Sequence, residues 1–128
     1  MFNLLEENYR AFNCFNSISK DLPDPLGQAR IFKDEKVSLF CALFSYGNAK
    51  AITNFLQSCN LYALKEGKSI KCSNKPYRFQ STQDIQALFD ILLNSKNLYE
   101  IFYKNYKKDS LVHGIKALQV YLYKQIKN

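Results

Sequence analysis

The stretch that most constrains this chain runs from Val37 to Leu56, VSLFCALFSYGNAKAITNFL, and reads as two apolar helices hinged at Tyr46-Gly47-Asn48. On a helical wheel Val37, Phe40, Cys41 and Phe44 line one side of the first helix, while Leu39, Ala42 and Leu43 line the other. A helix apolar on all sides must be buried on all sides. Val37 to Tyr46 is therefore expected at the centre of the fold, with the remaining elements packed around it.

Those elements read as helices too. Phe2 to about Ile18 carries Leu5, Tyr9, Phe12 and Phe15 at spacings of three and four, and stops before Leu22-Pro23. Asp24-Pro25 looks like a cap followed by proline at the first helical position, opening a short turn of helix through Arg30. Asp34 and Glu35 place negative charge at the start of the central helix, and Gly47 suits the left-handed residue after it. Asn48 then caps a helix with Ala49, Ile52, Leu56 and Cys59 on one face and Phe55 beside them.

Ala63 to Lys75 has no convincing period and reads as a loop, with a strand-like piece at Ser69 to Cys72. Ser81-Thr82-Gln83-Asp84 is a capping signal ahead of Ile85, Leu88, Phe89 and Leu92. Asn97 with Glu100 opens another helix, and Ser110 to about Ile126 forms the last. The sum is an all-α, single-domain array of six or seven short helices around a buried central helix. At 128 residues there is room for one domain and enough core to need no metal or disulfide staple.

Composition excludes more than it selects. The longest apolar run, Leu39 to Phe44, is far too short for a membrane span, and Glu6 and Glu7 spoil a signal peptide, so a soluble cytoplasmic protein is expected. Cys14, Cys41, Cys59 and Cys72 are widely spaced without a histidine cluster, which argues for reduced packed thiols and against a zinc site. His113 is the sole histidine, acids occur singly or in helix first turns, and the glycines form no phosphate-cradling loop. No catalytic residue, metal or cofactor is indicated.

Charge does point somewhere. Residues 1–64 carry six basic and six acidic side chains, whereas residues 65–128 carry twelve and five, so the whole net charge of +7 lies in the second half. Lys65, Lys68, Lys71, Lys75 and Arg78 are spread over the irregular stretch, and Tyr77 and Phe79 flank the arginine. Basic and aromatic groups interleave in this way in single-stranded nucleic-acid binders, which makes these residues, with Tyr77 as the stacking ring, a candidate DNA or RNA contact. The competing reading has Tyr77 and Phe79 anchoring the loop while the lysines are simply solvated. A helix-turn-helix at Gly47 is the weaker idea, because Asn48 to Ser58 offers only Lys50 to phosphate.

Ala42-Leu43-Phe44-Ser45-Tyr46-Gly47-Asn48, the earlier Asp24-Pro25-Leu26, and Tyr77-Arg78-Phe79 leading into Asp84-Ile85 and Leu88-Phe89 resemble, in order and spacing, domain of unknown function family 2400. The resemblance covers nearly the whole chain. It implies a longer protein of which these residues form the N-terminal part, and hence a packing or interaction module completed by a C-terminal half or by a second copy. More remotely, the central corner is similar to that of helix-hairpin-helix DNA glycosylases, which would make Tyr46 and Asn48 turn contacts to a duplex. The Leu-Pro-Gly-type hairpin and catalytic Lys or Asp of those enzymes are absent from this sequence.

Overall fold

The computed structural model describes residues 2–12, 23–106 and 110–126. Eight helices are present there: α1 (Phe2–Phe12), α2 (Leu26–Phe32), α3 (Glu35–Leu43), α4 (Ala49–Ser58), α5 (Leu61–Glu66), α6 (Thr82–Asn94), α7 (Leu98–Asn105) and α8 (Leu111–Ile126). The fold is all-α, with no strand among the described residues. The expected continuation of the first helix to Ile18, its stop before Leu22-Pro23, and Cys14 lie outside them.

The central helix is fastened at its first turn. Asp34 caps it, its Oδ1 accepting from the Lys36 and Val37 amides at 3.0 Å each. The next residue reaches across the molecule: the Glu35 carboxylate accepts from the Leu98 and Tyr99 amides at 2.8 and 2.7 Å, neutralising the open N-terminus of α7. Lys36 Nζ donates to the Leu93 carbonyl at the end of α6, at 2.9 Å. Two consecutive residues of α3, Glu35 and Lys36, thus tie it to the start of α7 and the end of α6.

Val37, Phe40, Cys41 and Phe44 are buried, and they join Ile52, Phe55, Leu56, Leu61, Leu64, Ile85, Phe89 and Leu92 in one core. The expectation of burial on all sides fails on the other face. Leu39 is only half-buried, Ala42 is exposed and Leu43 is 46% exposed. The helix also closes earlier than expected, at Leu43 rather than Tyr46, leaving Ser45 and Tyr46 in the turn. Gly47 does take the left-handed side, at φ 102°, and Asn48 Oδ1 caps α4 through the Ala51 amide at 3.1 Å.

Between α4 and α6 the sequence misleads. Leu61–Glu66 is helical where a loop was expected from Ala63, and Gly67 at φ 70° closes it. Leu61, Ala63 and Leu64 are all buried, so tertiary packing stabilises a helix too short to announce itself by period. Nor is Ser69 to Cys72 a strand. That segment is held by side chains instead: Gln86 on α6 accepts from the Cys72 amide at 2.8 Å, and Asn60 Nδ2 donates to the Lys71 carbonyl at 2.7 Å.

The later helix starts are as expected. Ser81 and Asp84 form a reciprocal capping box, and the Ser81 hydroxyl and amide hold the Asp84 carboxyl below its ordinary range. Asn97 caps α7 through the Glu100 amide at 3.0 Å. α7 and α8 then pack closely at Gly114, where an added methyl would lie 2.5 Å from the Phe102 ring. Tyr121 on α8 accepts from the Lys96 amide at 2.9 Å, joining the last helix to the turn before α7.

Candidate nucleic-acid interface

Two turns far apart in sequence meet at one place. Tyr77 and Gln80 exchange both backbone hydrogen bonds, at 3.0 and 2.9 Å, so Arg78 and Phe79 form the tip of a two-residue hairpin turn. Such turns ask for a positive φ at the first tip position, usually supplied by glycine. Here Arg78 takes it, at φ 52°.

What holds an arginine there is the other turn. The Arg78 guanidinium lies 5.7 Å from the centroids of both Tyr46 and Tyr77, a distance at which a cation is attracted by ring faces. It also rests on Gly47: a methyl added there would stand 2.0 Å from Arg78 Nη2. The backbone conformation calls for glycine, and the bare position leaves room for the guanidinium, which a larger residue would displace. Tyr46 donates its hydroxyl to Gln80 Oε1, and Tyr77 donates its own to the Tyr46 carbonyl at 3.3 Å.

Beneath the arginine is a column of rings. Tyr77 stacks on Phe55 at 4.3 Å with planes 20° apart, Phe55 packs on Phe44 at 5.0 Å, and Phe44 on Phe40 at 4.7 Å. Tyr77 is therefore buried, at 6% exposure, and its ring is not a free stacking surface. The anchoring role wins for Tyr77. Its neighbour Phe79 is the opposite case, 90% exposed at the tip of the turn. Pairing of positions 77 and 80 leaves 78 and 79 at the tip, and so sends one ring inward and the other out.

Tyr46, Tyr77 and Arg78 are thus brought together. Asn48 is exposed beside them, though its carbonyl oxygen is spent on capping α4. Lys65, Lys68, Lys71 and Lys75 are all exposed, and among the described residues no ion pair engages them. Lys68 lies 6.0 Å from the Tyr62 ring. Lys75 stands two residues before the hairpin turn, while Lys65 and Lys68 bracket Gly67 at the far end of the segment.

Residues 24–128 match the family described as Protein of unknown function (DUF2400). The chain belongs to that family. No curated protein and no solved structure matches this DUF2400 chain, and its likeness to helix-hairpin-helix glycosylases is not shown. Every segment that carried the sequence resemblance falls inside the match. Two of them, Tyr46 to Asn48 and Tyr77 to Phe79, are the turns that meet at Arg78.

Other chemistry in this DUF2400 chain is sparse. Among the described residues no group of three or more His, Cys, Asp or Glu is placed to hold a metal ion, and no helix is long and apolar enough to cross a membrane. His113 is exposed, with Nδ1 at 2.8 Å from Ser110 Oγ. Cys41, Cys59 and Cys72 are free thiols. Burial, and then the neighbouring Cys59, push Cys41 up to about 11. Cys72 donates to Cys59, which raises Cys72 and lowers Cys59. The hydroxyls of Ser58 and Ser73 add little, because they already donate to the Phe55 and Lys75 carbonyls at 2.7 and 3.1 Å.

One prediction follows for those thiols. The thiolate is the nucleophile, and a lowered Cys59 ionises as pH rises before the ordinary thiol value of 9.0, whereas Cys41 does so only near 11. Iodoacetamide at pH 8 is expected to alkylate Cys59 ahead of both Cys41 and Cys72 in peptide mass spectra, since Cys59 is also the one not fully buried. Equal labelling of the three would contradict that order.

Proposed function

We propose that this domain binds nucleic acid, single strands before duplex, through the Tyr77–Gln80 turn and the basic segment leading to it. Phe79 is the stacking ring, and Lys65, Lys68, Lys71, Lys75 and Arg78 face the phosphates, with Tyr46 and Asn48 at the edge of the contact. The observation that carries this reading is Phe79 at 90% exposure on a turn fixed by two backbone bonds and a seated arginine. A large ring held out in water on a rigid mount gives up apolar burial that folding would otherwise gain, and a base offers it a flat partner at little ordering cost. The lysines, which no ion pair engages among the described residues, and the +7 net charge supply the sequence-independent attraction.

Fluorescence anisotropy with labelled single-stranded and duplex DNA tests it. If about three to five phosphates are neutralised, log affinity falls with log salt at a slope of about −2 to −5. Lys68→Glu with Lys71→Glu weakens all sequences alike, because phosphate contacts carry no base information. No binding at tens of micromolar protein in low salt overturns the reading.

A second reading has its own observation. Leu111, Val112, Ile115 and Ile126 stand exposed along α8, and Leu4, Leu5 and Tyr9 along α1. Apolar side chains gathered on helix faces suit a protein-interaction module, covered by a second copy or by a further part of a longer chain. Light scattering separates the two: concentration-dependent association abolished by Leu111→Lys with Ile115→Lys favours the interaction module.

A further inference from the structure

An open groove of about 560 Å³ runs between α7 and α8 and gathers cations that the hairpin turn does not use. On α8 it is lined by His113, Lys116, Ala117, Val120, Tyr121 and Lys124, spacings of three and four that make one continuous helical stripe. α7 supplies Ile101, Lys104 and Asn105. Three ammonium groups and the chain's sole histidine therefore share one concave surface.

The polar groups are unevenly placed along it. Lys104 is the next-to-last residue of α7, and His113 and Lys116 fall in the first two turns of α8, so these three gather near the connection between the helices. Glu100 partly answers Lys104, across 3.7 Å at the surface. No ion pair engages Lys116 or Lys124 among the described residues. The bond from His113 Nδ1 to Ser110 leaves Nε2 for a ligand. Away from that end the floor is apolar, formed by Ile101, Ala117, Val120 and the Tyr121 ring, which the Lys96 amide holds in place. Lys124 lies about 12 Å further along α8 from Lys116.

We infer that this groove binds a phosphorylated small molecule of nucleotide size, its phosphates between Lys104, His113 and Lys116 and its flat body on the apolar floor toward Lys124. The volume lies within the range of about 300–1,000 Å³ usual for ligand sites, and an apolar floor with a few convergent polar groups is their ordinary make-up. Ammonium groups contributed to one groove by two helices suit the several oxygens of a phosphate. A long strand suits the groove less well. The other exposed positions of α8 include Leu111, Val112, Ile115 and Ile126, so the basic row is bordered by apolar side chains where a strand would need further cations. This site is independent of the nucleic-acid reading.

Binding of ADP by the intact chain, followed by nuclear magnetic resonance shifts of the Ile101, Ala117 and Val120 methyls, tests the inference, with adenosine and inorganic pyrophosphate as partial ligands. The expected result is saturable shifts with ADP, weaker ones with pyrophosphate, and the weakest with adenosine. Lys104→Glu with Lys116→Glu weakens ADP at least tenfold, while the loop pair Lys68→Glu with Lys71→Glu changes it less than twofold. Ala117→Leu narrows the floor without touching charge and weakens ADP as well, and a thermal melt of each variant confirms that it is folded. Absence of shifts at about 5 mM ADP in low salt, far above the Kd expected of a specific nucleotide site, overturns the inference. So do shifts that survive the groove reversal, or a groove that responds to an oligonucleotide and not to ADP. The loop variants are scored on DNA in a separate measurement, so either reading can fail while the other stands.

Discussion

Replacing Phe40 with alanine is expected to destabilise the domain by about 3–5 kcal/mol, the usual range for truncating a fully buried phenylalanine. Its ring has no exposure at all and sits 4.7 Å from Phe44 at the inner end of the column that continues through Phe55 to Tyr77. A cavity there is enclosed by α3 and the core residues around it, and little can move in to fill it. Against a total stability of about 5–15 kcal/mol, such a loss removes a large fraction of the folded population's margin. Leu43→Ala, three residues on, is expected to cost about 1 kcal/mol or less, because nearly half of that side chain is already in water. Urea titrations of the two variants check the contrast. Equal losses at both positions would mean that α3 is enclosed on both sides after all.

That contrast also shows where sequence reading stops. From Val37 to Phe44 apolar residues cover nearly every side of the wheel, and pattern alone cannot say whether a neighbour covers each side; burial on the Leu43 face depends on partners that no local rule places. Features set by short-range chemistry were legible. The Ser81 box, the Asn48 and Asn97 caps and the left-handed Gly47 depend on residues within four of one another, and each stands as expected. α5 was not legible, because six residues carry too little period and its stability comes from burying Leu61, Ala63 and Leu64.

The candidate interface divides in the same way. Its cations and aromatics could be picked out by composition and spacing. Which ring faces inward could not, because that choice is made by a contact spanning 31 residues, the Tyr77 hydroxyl on the Tyr46 carbonyl. The seat for Arg78 on Gly47 is likewise a meeting of two turns with no mutual signature in the sequence. The α7–α8 groove was not legible, since its lining comes from two helices and no local rule places one against the other.

The two aromatic neighbours of Arg78 are expected to separate cleanly on mutation. Tyr77→Ala removes a ring stacked at 4.3 Å on Phe55 and edge-on to Phe44 and Tyr46, together with the hydroxyl that ties the two turns. Its effect is on folding, a loss of about 3–5 kcal/mol by analogy with other buried aromatics. Phe79→Ala removes a ring that touches water over 90% of its surface, so the melting temperature is expected to stay within about a degree or two of the parent. Its effect is on binding: one stacked base is worth about 1–3 kcal/mol, a five- to roughly hundredfold loss of affinity for a single strand. Duplex binding suffers less, since paired bases are already stacked on one another and phosphate contacts remain. Anisotropy at fixed salt, paired with thermal melts, reads both quantities on both variants. A Phe79→Ala protein that binds single strands as tightly as the parent would strip the turn of its stacking role and leave only charge to account for any binding.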